Sequence, residues 1–301
     1  MTDRLKKYQG CLLGLATGDA LGTTVEFKAR GSFTPLTDIV GGGPFRLQAG
    51  QWTDDTSMAL CLAHSLLDNK GFDANDQMVR YNNWRVNGYM SSNGRCFDIG
   101  VTVSEAISQY LNSNDPFSGP TNPFSAGNGS LMRLAPIPML YSPDIEQVIH
   151  FAKQSSRTTH GAQESVEACA YFATLLHAAF SGIDKQSLLE CSLYQANTRK
   201  IVEIQALHYL DKSIDQIKGS GYVVESLEAA LWCFAKTDNF SDAILTAANL
   251  GDDADTTAAI CGQIAGAFYG IDAIPEAWQQ KITMKDEIIA LANQLYRFEI
   301  I

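Results

Sequence analysis

Two short acidic clusters stand near opposite ends of this chain. The first covers residues 53–56 (TDDT) and the second covers residues 252–257 (DDADTT). Each comes directly before an apolar stretch, rich in alanine and leucine, that is typical of a helix. Carboxylates gathered in one place repel each other unless a proton or a cation lies between them. If the fold brings these two helix starts together, the site suits a hard divalent ion with oxygen ligands.

Helix capping is a simpler explanation for either cluster alone. Aspartate and threonine are common at helix starts, because their side chains accept hydrogen bonds from free main-chain N–H groups. Capping needs one side chain, however, whereas each cluster offers several oxygens to one small volume. The absence of paired Cys and His ligands favours Mg²⁺ or Mn²⁺ over zinc. Two ions about 4 Å apart, bridged by aspartates, would fit this chemistry.

Composition indicates a globular protein. The chain has 301 residues, of which 46% are hydrophobic and 18% are charged, and this length allows one large domain or two modest ones. A net charge of −11 argues against general binding to nucleic acid or to anionic membranes. Seven cysteines occur singly, which favours a reducing compartment. With no signal-peptide layout and no apolar run long enough to span a bilayer, we expect a cytoplasmic protein.

Helical periodicity dominates the chain, and alternating strand patterns are scarce. We therefore predict an all-α fold, a compact multi-helix bundle in a single domain over residues 1–301. Glycine and proline concentrate in two loops, at 41–50 and 112–129. The predicted helices are 4–17, 56–68, 73–86, 98–111, 144–154, 163–180, 186–196, 199–211, 224–236, 241–249, 257–269 and 284–297.

An ordered set of motifs resembles the ADP-ribosylglycohydrolase family. The longest blocks are GLATGDALG at 14–22, WTDDT at 52–56, GNGSLMR at 127–133 and GDDADT at 251–256. The shorter blocks are VEF at 25–27, DIG at 98–100, TTH at 158–160 and GYVV at 221–224. Together they cover nearly the whole chain. The founding member of this family removes ADP-ribose from an arginine of dinitrogenase reductase. The resemblance implies an all-α fold with a binuclear Mg²⁺ or Mn²⁺ centre.

The resemblance also implies roles for individual residues. Glu26 matches a carboxylate beside the metals and Asp98 an acidic position that faces the substrate, so both are candidate catalytic groups. The segment 127–133 looks like the loop that holds the ADP-ribose diphosphate and ribose, since N–H groups of a glycine loop can approach phosphate closely. The implied metal ligands are Thr53, Asp54, Asp55, Asp253, Asp255 and Thr256. The implied substrate-binding residues are Gly127, Asn128, Gly129, Ser130, His160 and Tyr222.

Most of these residues also have a purely structural interpretation. Glu26 could be the solvent-facing residue of a short extended segment, and Asp98 could be the N-cap of a helix that begins at Ile99. Asn128-Gly129 is a common turn dipeptide. His160 could be a loop histidine satisfied by the local main chain, and Tyr222 could be an anchoring aromatic.

The function implied by the resemblance is metal-dependent removal of ADP-ribose from a modified side chain. Arginine is the expected attachment, so the N-glycosidic bond would break and mono-ADP-ribosylation would be reversed, in signalling or in toxin immunity. The expected partners are an ADP-ribosylated protein and a cognate ADP-ribosyltransferase or toxin. Three alternatives stay open: hydrolysis of O-linked ADP-ribose (serine, O-acetyl-ADP-ribose or poly(ADP-ribose)), non-catalytic ADP-ribose binding, and a two-metal phosphoesterase. The rim loops at 28–50 and 87–97 carry no motif that decides the attachment.

Overall fold

The computed structural model describes residues 2–142 and 144–298. Across these residues it contains α-helices and short 3₁₀ helices but no β-strand, so the all-α prediction is confirmed. The α-helices are Asp3–Gly22 (α1), Asp54–Asp68 (α2), Ala74–Asn87 (α3), Val101–Ser113 (α4), Pro136–Tyr141 (α5), Ile145–Thr159 (α6), Gln163–Phe180 (α7), Lys185–Leu189 (α8), Arg199–Gln205 (α9), Val223–Ala235 (α10), Phe240–Ala248 (α11), Ala254–Tyr269 (α12), Glu276–Lys281 (α13) and Lys285–Arg297 (α14).

The central feature of the fold is the close antiparallel packing of α1 on α12. Glycines recur at every fourth position of α1 and therefore share one face. A Cβ atom at any of them would collide with main-chain atoms of α12 or of the turn after it, from Gly266 opposite Gly10 to Ala254 opposite Gly22. The two main chains consequently touch along the whole contact. The four glycines are Gly10, Gly14, Gly18 and Gly22.

The remaining helices enclose this pair. Helices α7, α10 and α11 pack on α12, while α2 and α14 pack on α1. From Lys7 onward α1 is buried on all sides, as expected for a helix at the centre of a bundle. Its last turn therefore reaches the start of α12, where the second acidic cluster lies. The main-chain contact of α1 and α12 thus fixes where that cluster sits.

Two predicted helices are longer in the prediction than in the structure. The range 186–196 is helical only to Leu189, and the range 199–211 breaks after Gln205, where Leu207 adopts a left-handed conformation with φ of 61°. At the end of the first range, a side chain takes the place of main-chain partners. The Gln205 side-chain amide accepts a hydrogen bond from Ala196 N–H and donates one to the Tyr194 carbonyl. These tertiary contacts override a helical pattern that the sequence carries locally. Helices α5 and α13 are additional to the prediction.

The buried apolar side chains form one continuous cluster. Trp52 and Trp84 are among its largest fully buried members. Among the described helices, none combines the length and the apolar character that crossing a membrane requires. The assignment of residues 1–301 to one domain stays a prediction.

Candidate active site

The starts of α2 and α12 face each other, so the two acidic clusters form one site. Thr53 Oγ1 lies 3.4 Å from Asp255 Oδ2, across 202 positions of sequence. Thr256 Oγ1 lies 3.4 Å from Asp55 Oδ2, across 201 positions. The site therefore depends on the tertiary packing of α1, α2 and α12.

Capping does not explain the clusters. Thr53 and Asp253 occupy the N-cap positions of α2 and α12, but neither side chain accepts a capping hydrogen bond. The buried Asp19 side chain of α1 caps α2 instead. Its Oδ1 accepts from the N–H and the hydroxyl of Thr53 at 2.8 and 2.9 Å, and its Oδ2 accepts from those of Thr56 at 3.0 and 2.6 Å. Capping by their own side chains therefore does not account for Thr53 and Asp253 at these helix starts.

Three carboxylates from separate segments converge beside these helix starts. One oxygen from each of Glu26, Asp98 and Asp255 lies within 4.8 Å of the other two. Oxygens that bind one divalent cation at about 2.0–2.6 Å have spacings of this size. Nearby, Asp55 Oδ1 is buried and has no hydrogen-bond partner among the described residues. The donor set therefore fits a hard cation, and Glu26 and Asp98 lie where they can either bind it or act on a water beside it.

The chain takes unusual conformations to bring these groups together. Phe27, Asp98 and Asp252 have φ of 62°, 56° and 56°, in the left-handed region that non-glycine residues seldom adopt. Phe27 N–H donates to the Asp252 carbonyl at 2.7 Å, and Asp252 N–H donates to the Lys28 carbonyl at 2.8 Å. These bonds tie the turn that carries Glu26 to the start of α12. Local strain of about 1–3 kcal/mol per residue is typical of functional sites.

The structural interpretations of Glu26 and Asp98 are wrong. Glu26 is only 3% exposed, so it is not the solvent-facing residue of an extended segment. Helix α4 begins at Val101 with Gly100 as its N-cap, so Asp98 does not cap it. Both carboxylates line the cavity instead.

Within the described part of the chain, the protein places no positively charged side chain among these carboxyl groups, so burial favours their protonated forms. Burial, reinforced by the neighbouring carboxylates, raises the pKa of Asp54, Asp55 and Asp255 well above the usual range. The same causes raise the pKa of Asp98 to about 8 and also raise that of Glu26. A cation would relieve this repulsion and release the protons.

A cavity of about 610 Å³ opens beside the carboxylates, and a glycine-containing loop forms another part of its wall. Gly127, Asn128 and Gly129 line this wall. The Asn128 amide donates to Asp253 Oδ2 at 2.6 Å and to Ser226 Oγ at 2.8 Å, which ties the loop to the acidic cluster. Within the described ranges, the main-chain N–H groups of Gly129 and Ser130 donate to no other group. Such free N–H groups suit an anionic ligand.

His160 lies directly behind this loop. A Cβ atom at Gly129 would lie only 2.8 Å from His160 Cε1, so the glycine is needed for the ring to fit. The ring is 2% exposed and lines the cavity. Burial, together with the nearby Arg133 guanidinium, lowers the pKa of His160 to about 3. The imidazole is therefore neutral at ordinary pH.

Two predicted substrate-binding side chains lie outside this cavity. The Ser130 hydroxyl is buried 2.9 Å from Ser156 Oγ and 3.4 Å from Cys169 Sγ, so at this position only the main chain can serve a ligand. Tyr222 lines a second cavity of about 600 Å³, which shares Gly127 and other residues with the first.

The chain is similar to known proteins in both sequence and structure. Residues 1–299 match the model of the family described as ADP-ribosylglycohydrolase. The chain belongs to the ADP-ribosylglycohydrolase family. It is 44% identical over 298 residues to "ADP-ribosylarginine hydrolase Tri1" of Serratia proteamaculans, covering 98% of this chain and 80% of that protein. It is 33% identical over 284 residues to "ADP-ribosyl-[dinitrogen reductase] glycohydrolase" of Rhodospirillum rubrum, covering 92% and 90%.

A solved structure is also similar to this ADP-ribosylglycohydrolase family member. It is described as an "ADP-ribosylglycohydrolase-related protein complex" and superposes with a TM-score of 0.87 at 39% identity. The match covers 99% of each chain. The helical architecture is therefore that of the family along its full length.

Sequence reasoning left some residues of this family member without a role. Asp19 lies inside the quoted GLATGDALG block, but nothing local shows that its carboxylate caps α2. Phe124 lines the second cavity with its side chain fully exposed. In that cavity Lys200 Nζ donates to the Tyr222 hydroxyl at 2.8 Å, and this hydroxyl donates to the Glu164 carboxylate. The signal that the sequence offered for Phe124 was an aromatic residue within the glycine- and proline-rich loop at 112–129.

Proposed function

We propose that this family member is a metal-dependent hydrolase that removes ADP-ribose from ADP-ribosylated arginine side chains. The observation that carries the proposal is the convergence of Glu26, Asp98 and Asp255 within 4.8 Å, at one wall of a large cavity. The name of the relative at 44% identity supports arginine as the attachment, and the name of the relative at 33% identity supports a modified protein as the substrate.

The metal ligands in this proposal are oxygen atoms of the two acidic clusters. Two Mg²⁺ or Mn²⁺ ions, when bound, would supply Lewis acidity toward a ribose hydroxyl and a water molecule. The buried, partnerless Asp55 Oδ1 supports this use of the site. The proposed ligands are Thr53, Asp54, Asp55, Asp253, Asp255 and Thr256.

The reaction is cleavage of the bond between the ribose anomeric carbon and the arginine nitrogen. This cleavage develops oxocarbenium character, which the surrounding carboxylates stabilise in their ionised form. Glu26 or Asp98, as the ionised carboxylate, removes a proton from the attacking water, since both side chains line the cavity. The departing guanidine receives a proton directly or through water.

The donor wall of the cavity is the proposed site for the diphosphate. Gly127, Asn128, Gly129 and the main chain of Ser130 would approach the phosphates, with His160 behind them. Phe124 and Tyr222 place aromatic surface in the second cavity, where a base can stack. The ribose that carries the arginine would then lie toward the carboxylates.

The proposed setting is the cytoplasm. The proposed partners are an ADP-ribosylated protein and the ADP-ribosyltransferase or toxin that modifies it. Release from this modification would serve signalling or protect the cell.

The deciding experiment measures ADP-ribose release from an arginine-ADP-ribosylated protein, with Mg²⁺ and with EDTA. We expect release with Mg²⁺ and its loss with EDTA. A serine-ADP-ribosylated protein serves as the matched substrate and should release much less. Release from the serine substrate alone would overturn the arginine assignment, and release that persists in EDTA would overturn the metal requirement.

A further inference from the structure

Arg133 is buried at the end of the glycine-containing loop without forming an ion pair among the described residues. Its side chain is fully buried, and its Nη1 donates to the Gly129 carbonyl at 3.1 Å. Its guanidinium lies 4.7 Å from the centroid of the Tyr81 ring. Its Nη2 donates to Thr159 Oγ1 at 2.7 Å. A buried guanidinium that pairs only with neutral groups, and whose Nε has no hydrogen-bond partner among the described residues, is a costly arrangement, which suggests a role beyond packing.

The bond to Thr159 has a consequence for His160. A guanidinium has only donors, so Thr159 Oγ1 must accept from Arg133. The same oxygen lies 2.9 Å from His160 Nδ1, and its single proton has no other acceptor among the described residues, so the hydroxyl donates to that nitrogen. Nδ1 is then an acceptor, and in a neutral imidazole the proton must reside on the other nitrogen, Nε2.

The Nε2 atom of His160 faces the glycine loop. It lies 3.2 Å from the position that a Cβ atom would take at Gly127 and at Gly129, and no group among the described residues pairs with it. The Nε2–H group of His160 therefore lies beside the free N–H groups of Gly129 and Ser130 and adds a further hydrogen-bond donor to them. An acceptor with negative charge, such as a phosphate oxygen, satisfies these donors.

We propose that Arg133, acting through the Thr159 hydroxyl, is a positioning residue that fixes His160 in the Nε2–H tautomer and so aims a neutral donor at the ligand. The identity of the ligand as the ADP-ribose diphosphate rests on the proposed function. The relay from Arg133 to His160 does not, because every group in it belongs to the protein. The neutral ring would donate without titrating in the range where the enzyme works.

The test combines variants of Thr159 with nitrogen NMR of the His160 ring. Thr159→Val removes the hydroxyl, and Thr159→Ser keeps it. Thr158→Val is the matched control, because Thr158 Oγ1 also accepts from Arg133, at 3.2 Å, but has no bond to His160. Long-range proton–nitrogen correlation spectra of the ligand-free protein identify the tautomer. Calorimetric titration with ADP-ribose gives the affinity.

We expect the Nε2–H tautomer in the wild type, in Thr159→Ser and in Thr158→Val. In Thr159→Val we expect a mixture of tautomers and about tenfold weaker binding of ADP-ribose, the loss of roughly one hydrogen bond to a charged group. An Nδ1–H tautomer in the wild type would overturn the relay, as would a pure Nε2–H tautomer in Thr159→Val. If Thr159→Val does not fold, the wild-type spectrum alone decides, because an Nδ1–H tautomer there already contradicts the relay. A correct tautomer in a protein that hydrolyses no ADP-ribosyl bond would overturn the proposed function and leave the relay standing.

Discussion

The two walls of the main cavity differ in the kind of charge they offer. At the starts of α2 and α12, buried carboxylates repel one another, and the pKa of Asp98 rises to about 8 as a result of burial and this repulsion. The other wall, which includes the loop at Gly127–Gly129 and His160, presents free N–H groups and a neutral imidazole. One wall therefore suits a cation and the other an anion. A single ligand that carries both hydroxyls and a diphosphate matches such a cavity.

The two walls also differ in what holds them in place. Main-chain contact between α1 and α12 and the Asp19 carboxylate fix the acidic wall. Side-chain bonds through Arg133 support the donor wall. A substitution that removes the contacts holding one wall should leave the other wall intact. The difference between the two walls can therefore be tested.

The largest expected effect comes from neutralising the acidic wall. Asp255→Asn should reduce ADP-ribose release by at least about 10³-fold and abolish metal binding, because it removes a carboxylate from the cluster. The variant should nevertheless fold, and in the absence of metal it should be more stable than the wild type, since it relieves repulsion. Activity, metal titration and thermal unfolding together check this. Asp286→Asn, at a side chain 97% exposed, is the control and should match the wild type. Full activity in Asp255→Asn would remove this residue from the centre.

A smaller effect is expected from the support of the acidic wall. Asp19→Asn should lower the free energy of unfolding by about 2 kcal/mol, because the amide cannot accept from both Thr53 and Thr56 and leaves a buried donor unsatisfied. The metal affinity should also fall, because the first turn of α2 would lose hydrogen bonds that hold it in place. Urea unfolding and metal titration measure both quantities. Unchanged metal affinity in a destabilised variant would limit Asp19 to a structural role.

Crowding the donor wall should weaken ligand binding but spare the metal centre. Gly129→Ala places a methyl group 2.8 Å from His160 Cε1, so the ring or the loop must shift. We expect about tenfold weaker ADP-ribose binding, corresponding to the loss of one charged hydrogen bond. Gln109→Ala, at an exposed position of α4 that does not line the cavity, is the control. Equal losses of metal and ADP-ribose affinity in Gly129→Ala would contradict the independence of the two walls.

The smallest effect concerns pH. The folded-state pKa of His160, about 3, lies below its unfolded value of 6.5, so the neutral ring stabilises the fold at neutral pH, and this contribution is lost as pH falls. Between pH 7 and pH 5.7 the wild type should lose about 1 kcal/mol of unfolding free energy from this residue. His160→Gln should lack this loss. Urea unfolding of both proteins at pH 7 and pH 5.7 measures this difference in unfolding free energy. An equal pH dependence in the two proteins would show that the His160 ring does not stay neutral in the folded state.

Much of the fold could be predicted from local pattern. Helix α7 spans 163–180 in both the prediction and the structure, because its buried face repeats with strong helical spacing. The prediction of a helix over 186–196 was wrong after Leu189, because there the Gln205 side chain bonds to the main chain in place of helical partners. Ser130 shows the same limit at the site: its motif position was clear, but only packing decides that its hydroxyl faces Ser156.

By itself the sequence determined the helical class, the two acidic clusters and the glycine-containing loop, because these depend on residue types at short spacings. Tertiary structure alone decided that Thr53 meets Asp255, that Asp19 caps α2 and that Arg133 reaches His160 through Thr159. Contacts between segments this far apart depend on how closely helices approach. Here that approach is set by glycines that let the main chains of α1 and α12 touch.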